Sequence, residues 1–144
     1  METYAFRLNP GQDLKKEMEV LTKSEKWGAA CVLSGVGSLS KAAIRFANKN
    51  SAEILEGPLE IISLNGTLSQ DGLHLHISVS DGNGKVVGGH LMEGSIIFTT
   101  AEIVSGILNG WKFTRSDDPA TGFTELSVTH EGEGESAGRS ESNG

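Results

Sequence analysis

The chain has 144 residues, of which 12 are basic and 19 acidic, for a formal net charge of -7. That length holds one domain with its own hydrophobic core, and that sign of charge argues against a surface built mainly to grip a phosphate backbone, which needs clustered Lys and Arg. No run of eighteen apolar residues occurs, and Met1-Glu2-Thr3-Tyr4 lacks the basic and apolar regions of an export signal, so a cytoplasmic protein without a membrane span is expected.

Thr3 to Leu8 alternates Tyr4, Phe6 and Leu8 against Thr3, Ala5 and Arg7, which predicts a first strand ending at the turn Asn9-Pro10-Gly11. Asp13 is suited to cap a helix running to about Lys26, with Leu14, Met18 and Leu21 on one stripe. Its outer face mixes both signs of charge and reads as solvated. A second strand is predicted from Ala29 to Leu33. It contains the lone cysteine, Cys31, which has no internal disulfide partner and reads as a core thiol.

Ser34-Gly35-Val36-Gly37-Ser38 lacks the Lys-Ser/Thr ending of a P-loop and a complete G-x-G-x-x-G, so it is read as a tight connection to a strand from Lys41 to Ala47. After a polar link, Asn48 to Glu53, the apolar segment Gly57 to Leu68 reads as a strand with one conspicuous acid, Glu60. A buried carboxylate there would need a partner such as Arg45, Arg115 or a metal-bound histidine; otherwise Glu60 is edge-exposed or ion-paired.

Ser69-Gln70-Asp71-Gly72 then turns the chain into Leu73-His74-Leu75-His76-Ile77-Ser78-Val79-Ser80, the cluster Asp81-Gly82-Asn83-Gly84, and Lys85-Val86-Val87-Gly88-Gly89-His90-Leu91-Met92. Two alternating flanks around turn formers predict a β-hairpin. A three-residue loop, Gly82-Asn83-Gly84, faces Asp81 with Lys85, and counting back sets Val79 opposite Val87, Ile77 opposite Gly89 and His76 opposite His90. His74 lies on the same face, while Leu73, Leu75, Ile77, Val79 and Leu91 share the other. Directly opposed Cβ atoms are about 5 Å apart and diagonal ones about 7 Å, so His74, His76 and His90 can converge on one ion of zinc-like character at about 2.1 Å. A lone His-x-His is a weak signal, and a polar hydrogen-bonded cluster is the alternative. A loop of two residues would send His90 to the opposite face, so the metal reading depends on the loop.

Ser95 to Ile103 reads as a further strand, although Ala101 to Asn109 can also be written as a short helix. Lys112 to Arg115 and Thr124 to Thr129 are the expected closing strands. Residues 131–144 carry four Glu and one Arg with almost no apolar side chain, which predicts a disordered acidic tail after a domain spanning 1–130. His130 is placed outside the site. One helix beside many short strands leads to an expected α+β fold: an antiparallel sheet or flattened barrel with a packed N-terminal helix.

Phe6-Arg7-Leu8 with Pro10-Gly11, Leu33 to Ser38, Gly57 to Gly66, His74 to Ser78, Gly88-Gly89-His90-Leu91, Phe113-Thr114-Arg115, Asp118 and Thr121-Gly122 together resemble the plants-and-prokaryotes-conserved (PPC) domain, in register and in order over residues 3 to 129. The resemblance implies an α+β homotrimer of the prokaryotic stand-alone kind, described as DNA-binding and regulatory. It also implies the three histidines, His74, His76 and His90, that the prokaryotic branch keeps. The Arg-Gly-Arg-Pro core of the plant AT-hook is missing here. The family fold is similar to that of acetolactate decarboxylase, which holds zinc on three histidines, so a zinc-dependent lyase or hydrolase is the alternative to a DNA-binding module. Glu60 or Arg45 would then serve as acid, base or carboxylate anchor. A purely structural ion in an oligomerisation module is the third reading.

Overall fold

The computed structural model describes residues 1–132. Eight strands and one helix follow in the order β1 (Glu2–Leu8), α1 (Leu14–Ser24), β2 (Ala30–Arg45), β3 (Glu53–Ser69), β4 (Gly72–Ser80), β5 (Val86–Leu91), β6 (Ile96–Ile107), β7 (Trp111–Asp118) and β8 (Phe123–His130). Antiparallel pairing orders the first six strands β1-β6-β2-β3-β4-β5. The far end of β2 also pairs with β5, Ile44 opposite Leu91 and Arg45 opposite His90, so β2, β3, β4 and β5 close on themselves. β7 and β8 form a separate two-stranded sheet.

The expectation of an α+β fold is corrected by these elements: the architecture is predominantly antiparallel β, with a single helix of 11 residues. Helical spacing holds only from Leu14 to Ser24. The segment Ala101 to Asn109, which can be written either way, lies mostly in β6, because buried Ala101, Ile103 and Ser105 alternate with exposed Glu102. The helix was conspicuous because its caps are local. Asp13 Oδ1 accepts from the Lys16 amide at 3.1 Å, and Asp13 Oδ2 accepts from the Gly94 amide at 2.8 Å. At the other end Gln70 Nε2 donates to the carbonyls of Thr22 and Trp27 at 2.8 and 2.9 Å, fastening the helix terminus to the β3–β4 turn.

Ser34 to Ser38 is likewise not a connection, since β2 runs through it unbroken with irregular register against β6. The glycines are there for close strand approach. At Gly37, with φ 150°, a Cβ would run into the Thr100 carbonyl, so only glycine lets β6 come that near. β3 begins at Glu53, inside the segment read as a polar link, and β7 and β8 extend past their expected bounds.

The core lies inside the closed strands. Leu39, Ile44, Leu68, Leu75, Val79, Leu91, Ile97 and Ile103 are fully buried, with Leu14 and Met18 added by α1. Each Leu or Ile so buried contributes about 1.5–3 kcal/mol, so the alternation of β4 and β5 fixes which side of the hairpin faces out. The expected acidic tail falls, from residue 133 onward, outside the described residues.

Candidate metal centre

The hairpin turn is built by one side chain. Asp81 Oδ1 accepts from the amides of Asn83 (2.9 Å) and Lys85 (3.0 Å), the Asp81 amide donates to the Lys85 carbonyl at 3.0 Å, and Gly84 takes φ 78°. The loop is therefore Gly82-Asn83-Gly84, and β4 and β5 pair as the residue count requires: Val79 with Val87, Ile77 with Gly89, His76 with His90. Leu75, Ile77, Val79 and Leu91 are buried, so the histidines project from the outer face. On β3, Asn65 stands opposite His76 and Thr67 opposite His74.

The ring centroids of His74, His76 and His90 are 5.0, 5.0 and 5.7 Å apart, and one nitrogen from each lies within 4.8 Å of the others. A tetrahedral ion with bonds of about 2.1 Å holds its nitrogens about 3.4 Å apart, a gap that modest ring rotations close. The donor set therefore fits a divalent ion. Among the described residues no fourth His, Cys, Asp or Glu joins the group.

Burial, with neighbouring positive charge, favours the neutral form of His74 and His90, which leaves a lone pair to give. His90 is lowered to about 4, first by burial and then by Arg45, His74, His76 and Lys15. His74 is also lowered, by burial, His76, Arg115 and Arg45, against an opposing pull from Glu125. Between pH 6.5 and about 4 an unfolded chain takes up a proton at His90 that the folded chain refuses. Metal-free protein is therefore expected to lose stability as pH falls through that window. Comparison of thermal melts with His90→Gln isolates the effect, since the variant's decline should be shallower; equal slopes would show that His90 titrates normally.

Beside the triad lies a cleft of about 560 Å³ lined by Arg45, Asp71, His74, His90, Arg115, Phe123, Thr124 and Glu125, among others. Two long-range attachments make it. Arg45 sits opposite His90 through the β2–β5 pairing, and Arg115 on β7 is drawn to the β3–β4 turn, where its amide donates to Asp71 Oδ2 at 3.0 Å and its Nη2 donates to Thr67 Oγ1 at 3.3 Å. The β7–β8 sheet thus forms the far wall. Glu60 does not belong here: it is exposed, opposite Ser80, four residues along β4 from His76, or about 13 Å at 3.3 Å per residue. Asp71 and Glu125 are the carboxylates that line the cleft instead; Asp71 is held by the Arg115 amide, and no local signal in β8 marks Glu125. His130 packs its ring 4.3 Å from that of Trp111, away from the triad.

These features define an antiparallel β-domain with three imidazoles on its outer face beside a two-stranded flap. Residues 1–109 match the Plants and Prokaryotes Conserved (PCC) domain, and the chain belongs to that family. A bifunctional protein GlmU from Synechococcus sp. (strain JA-2-3B'a(2-13)) is 47% identical over 128 residues, 89% of this chain. The match is 20% of that relative, so the chain spans about a fifth of its length. Among solved structures, a hypothetical protein from Salmonella is 38% identical with a TM-score of 0.88, covering 90% of this chain and 94% of its own. A metal-containing protein from Archaeoglobus fulgidus is 27% identical with a TM-score of 0.77, covering 88% and 94%. A Bacteroides thetaiotaomicron protein described as a candidate for DNA binding is 22% identical with a TM-score of 0.78, covering 87% and 91%, a likeness of fold alone.

Proposed function

We propose that the chain is a metal-dependent member of this family in which His74, His76 and His90 hold a zinc-like divalent ion with a coordination position open to a small molecule. The observation that carries the reading is the convergence of three imidazoles, from paired strands, at the edge of a ligand-sized cleft. The metal-containing description of the Archaeoglobus relative supports it. When bound, such an ion acts as a Lewis acid toward a carbonyl or a water. The protein supplies the rest. Thr124 and Phe123 line the approach, and Glu125, whose Oε1 accepts from Thr121 Oγ1 at 3.2 Å, is the carboxylate placed to hold or move a proton. This is the layout of a lyase- or hydrolase-type centre. A stapling ion fits less well, because backbone pairing already fixes the hairpin and no fourth protein ligand closes the shell among the described residues. Calorimetric titration of zinc into chelator-stripped protein should give one ion per chain; no binding would remove the proposal.

Duplex DNA as a partner has less in its favour. A DNA-binding face would have to draw on cations such as Arg7, Lys41, Arg45, Lys49, Lys112 or Arg115, and these are spread over β1, β2, the β2–β3 loop and β7, on a chain of net charge -7.

Self-association belongs to the same reading. Leu33 and Val36 on β2, Ile62 on β3 and Phe98 on β6 are each about half exposed on three adjacent strands, an apolar surface that a second copy would cover; the family resemblance supports a homotrimer as that assembly. Light scattering should show Phe98→Glu as a smaller species than wild type, and an unchanged mass would move the interface elsewhere.

A further inference from the structure

We infer that the cleft beside the triad takes the oxyanion head group of a small molecule, clamped by Arg45 and Arg115. The inference rests on the metal reading of the site and names the class of ligand it serves. Two arginines line one cleft of about 560 Å³, a size typical of small-molecule sites. Among the described residues neither has a carboxylate within salt-bridge distance, the one such pair being Lys16 with Glu93. A guanidinium cannot shed its charge, and its planar fork matches carboxylate and phosphate oxygens.

The acids nearby do not discharge this role. Asp71 Oδ2 accepts the Arg115 backbone amide and so positions β7, and among the described residues the guanidinium is left with only the neutral Thr67 hydroxyl. Glu125 Oε1 accepts from Thr121. Arg45 has no side-chain hydrogen bond among the described residues and neighbours His90 through strand pairing. Both arginines share the cleft wall with His74 and His90, so two positive charges stand beside the imidazoles. Positive charge would ordinarily weaken cation binding there. An anionic ligand removes that conflict by neutralising the guanidiniums while it presents an oxygen toward the ion. Phe123, 72% exposed on the rim, offers the same ligand an apolar surface.

Calorimetry with malonate, inorganic phosphate and the uncharged malonamide, on zinc-loaded and zinc-free protein, tests this. Malonate or phosphate should bind the loaded wild type at least tenfold more tightly than malonamide, and whichever anion binds better identifies the head group. Arg45→Gln and Arg115→Gln should each weaken that anion about tenfold with zinc stoichiometry unchanged. Arg45→Lys, which keeps the charge but loses the fork, should fall between, and melting curves show that each variant is folded. Equal affinity for malonamide, anion binding indifferent to both Gln variants, or no anion binding in either form overturns the inference. If wild type takes up no zinc but binds anion through the arginines, the metal reading fails and the clamp stands.

Discussion

His76→Ala is expected to abolish retention of zinc while leaving the fold untouched. His76 is exposed on the outer face, so its removal opens no cavity and strands no buried partner. Its place in the triad is central, since it faces His90 across the strand pair and has His74 two residues away on the same strand. Loss of a residue that merely orients a ligand costs about 10–100-fold in metal affinity, and loss of one of three ligands costs more. Elemental analysis after dialysis should find one zinc per wild-type chain and almost none in the variant, with unchanged metal-free melting curves. A variant that keeps one zinc per chain would place the ion elsewhere.

Deletion of Asn83 should have the larger effect on the whole molecule. A two-residue loop shifts β5 by one position against β4 and exchanges its faces. Leu91, now fully buried, would turn outward at a cost of about 1.5–3 kcal/mol, and His90 would turn into the core, where an imidazole without a hydrogen-bond partner costs more. The Ile44–Leu91 and Arg45–His90 pairings that close β5 onto β2 would be lost as well. The deletion variant should neither bind zinc nor reach wild-type stability in chemical denaturation, whereas Asn83→Ala, which keeps the loop length, should do both. Zinc binding and full stability in the deletion would refute the role assigned to the loop.

What could be read ahead of the structure was what sequence neighbours decide. Asp81 folds the turn with its own side chain, and alternation then assigns every residue from Leu73 to Leu91 to a face, so the triad follows from counting. The cap at Asp13 is local in the same way. The cleft is not, because Arg115 reaches Asp71 across 44 positions and Thr67 across 48, and nothing in Trp111 to Asp118 announces where that strand will dock. Glu60 drew notice as an acid in an apolar strand, yet its strand has one face open to solvent and the carboxylate simply points there. Gly35 and Gly37 imitate a loop because close strand approach selects the same residue that turns do. Fold class is hard to read for a related reason: the capped helix stands out locally, whereas β1–β6, β2–β6 and β2–β5, the pairings that gather the main sheet, join strands far apart in the chain.

X-ray absorption at the zinc edge of the loaded protein tests the centre most directly. Three imidazole nitrogens at about 2.0–2.1 Å with one or two further light-atom ligands from solvent are expected. Fewer than three imidazoles, or a sulfur contributed by Cys31, would contradict the account.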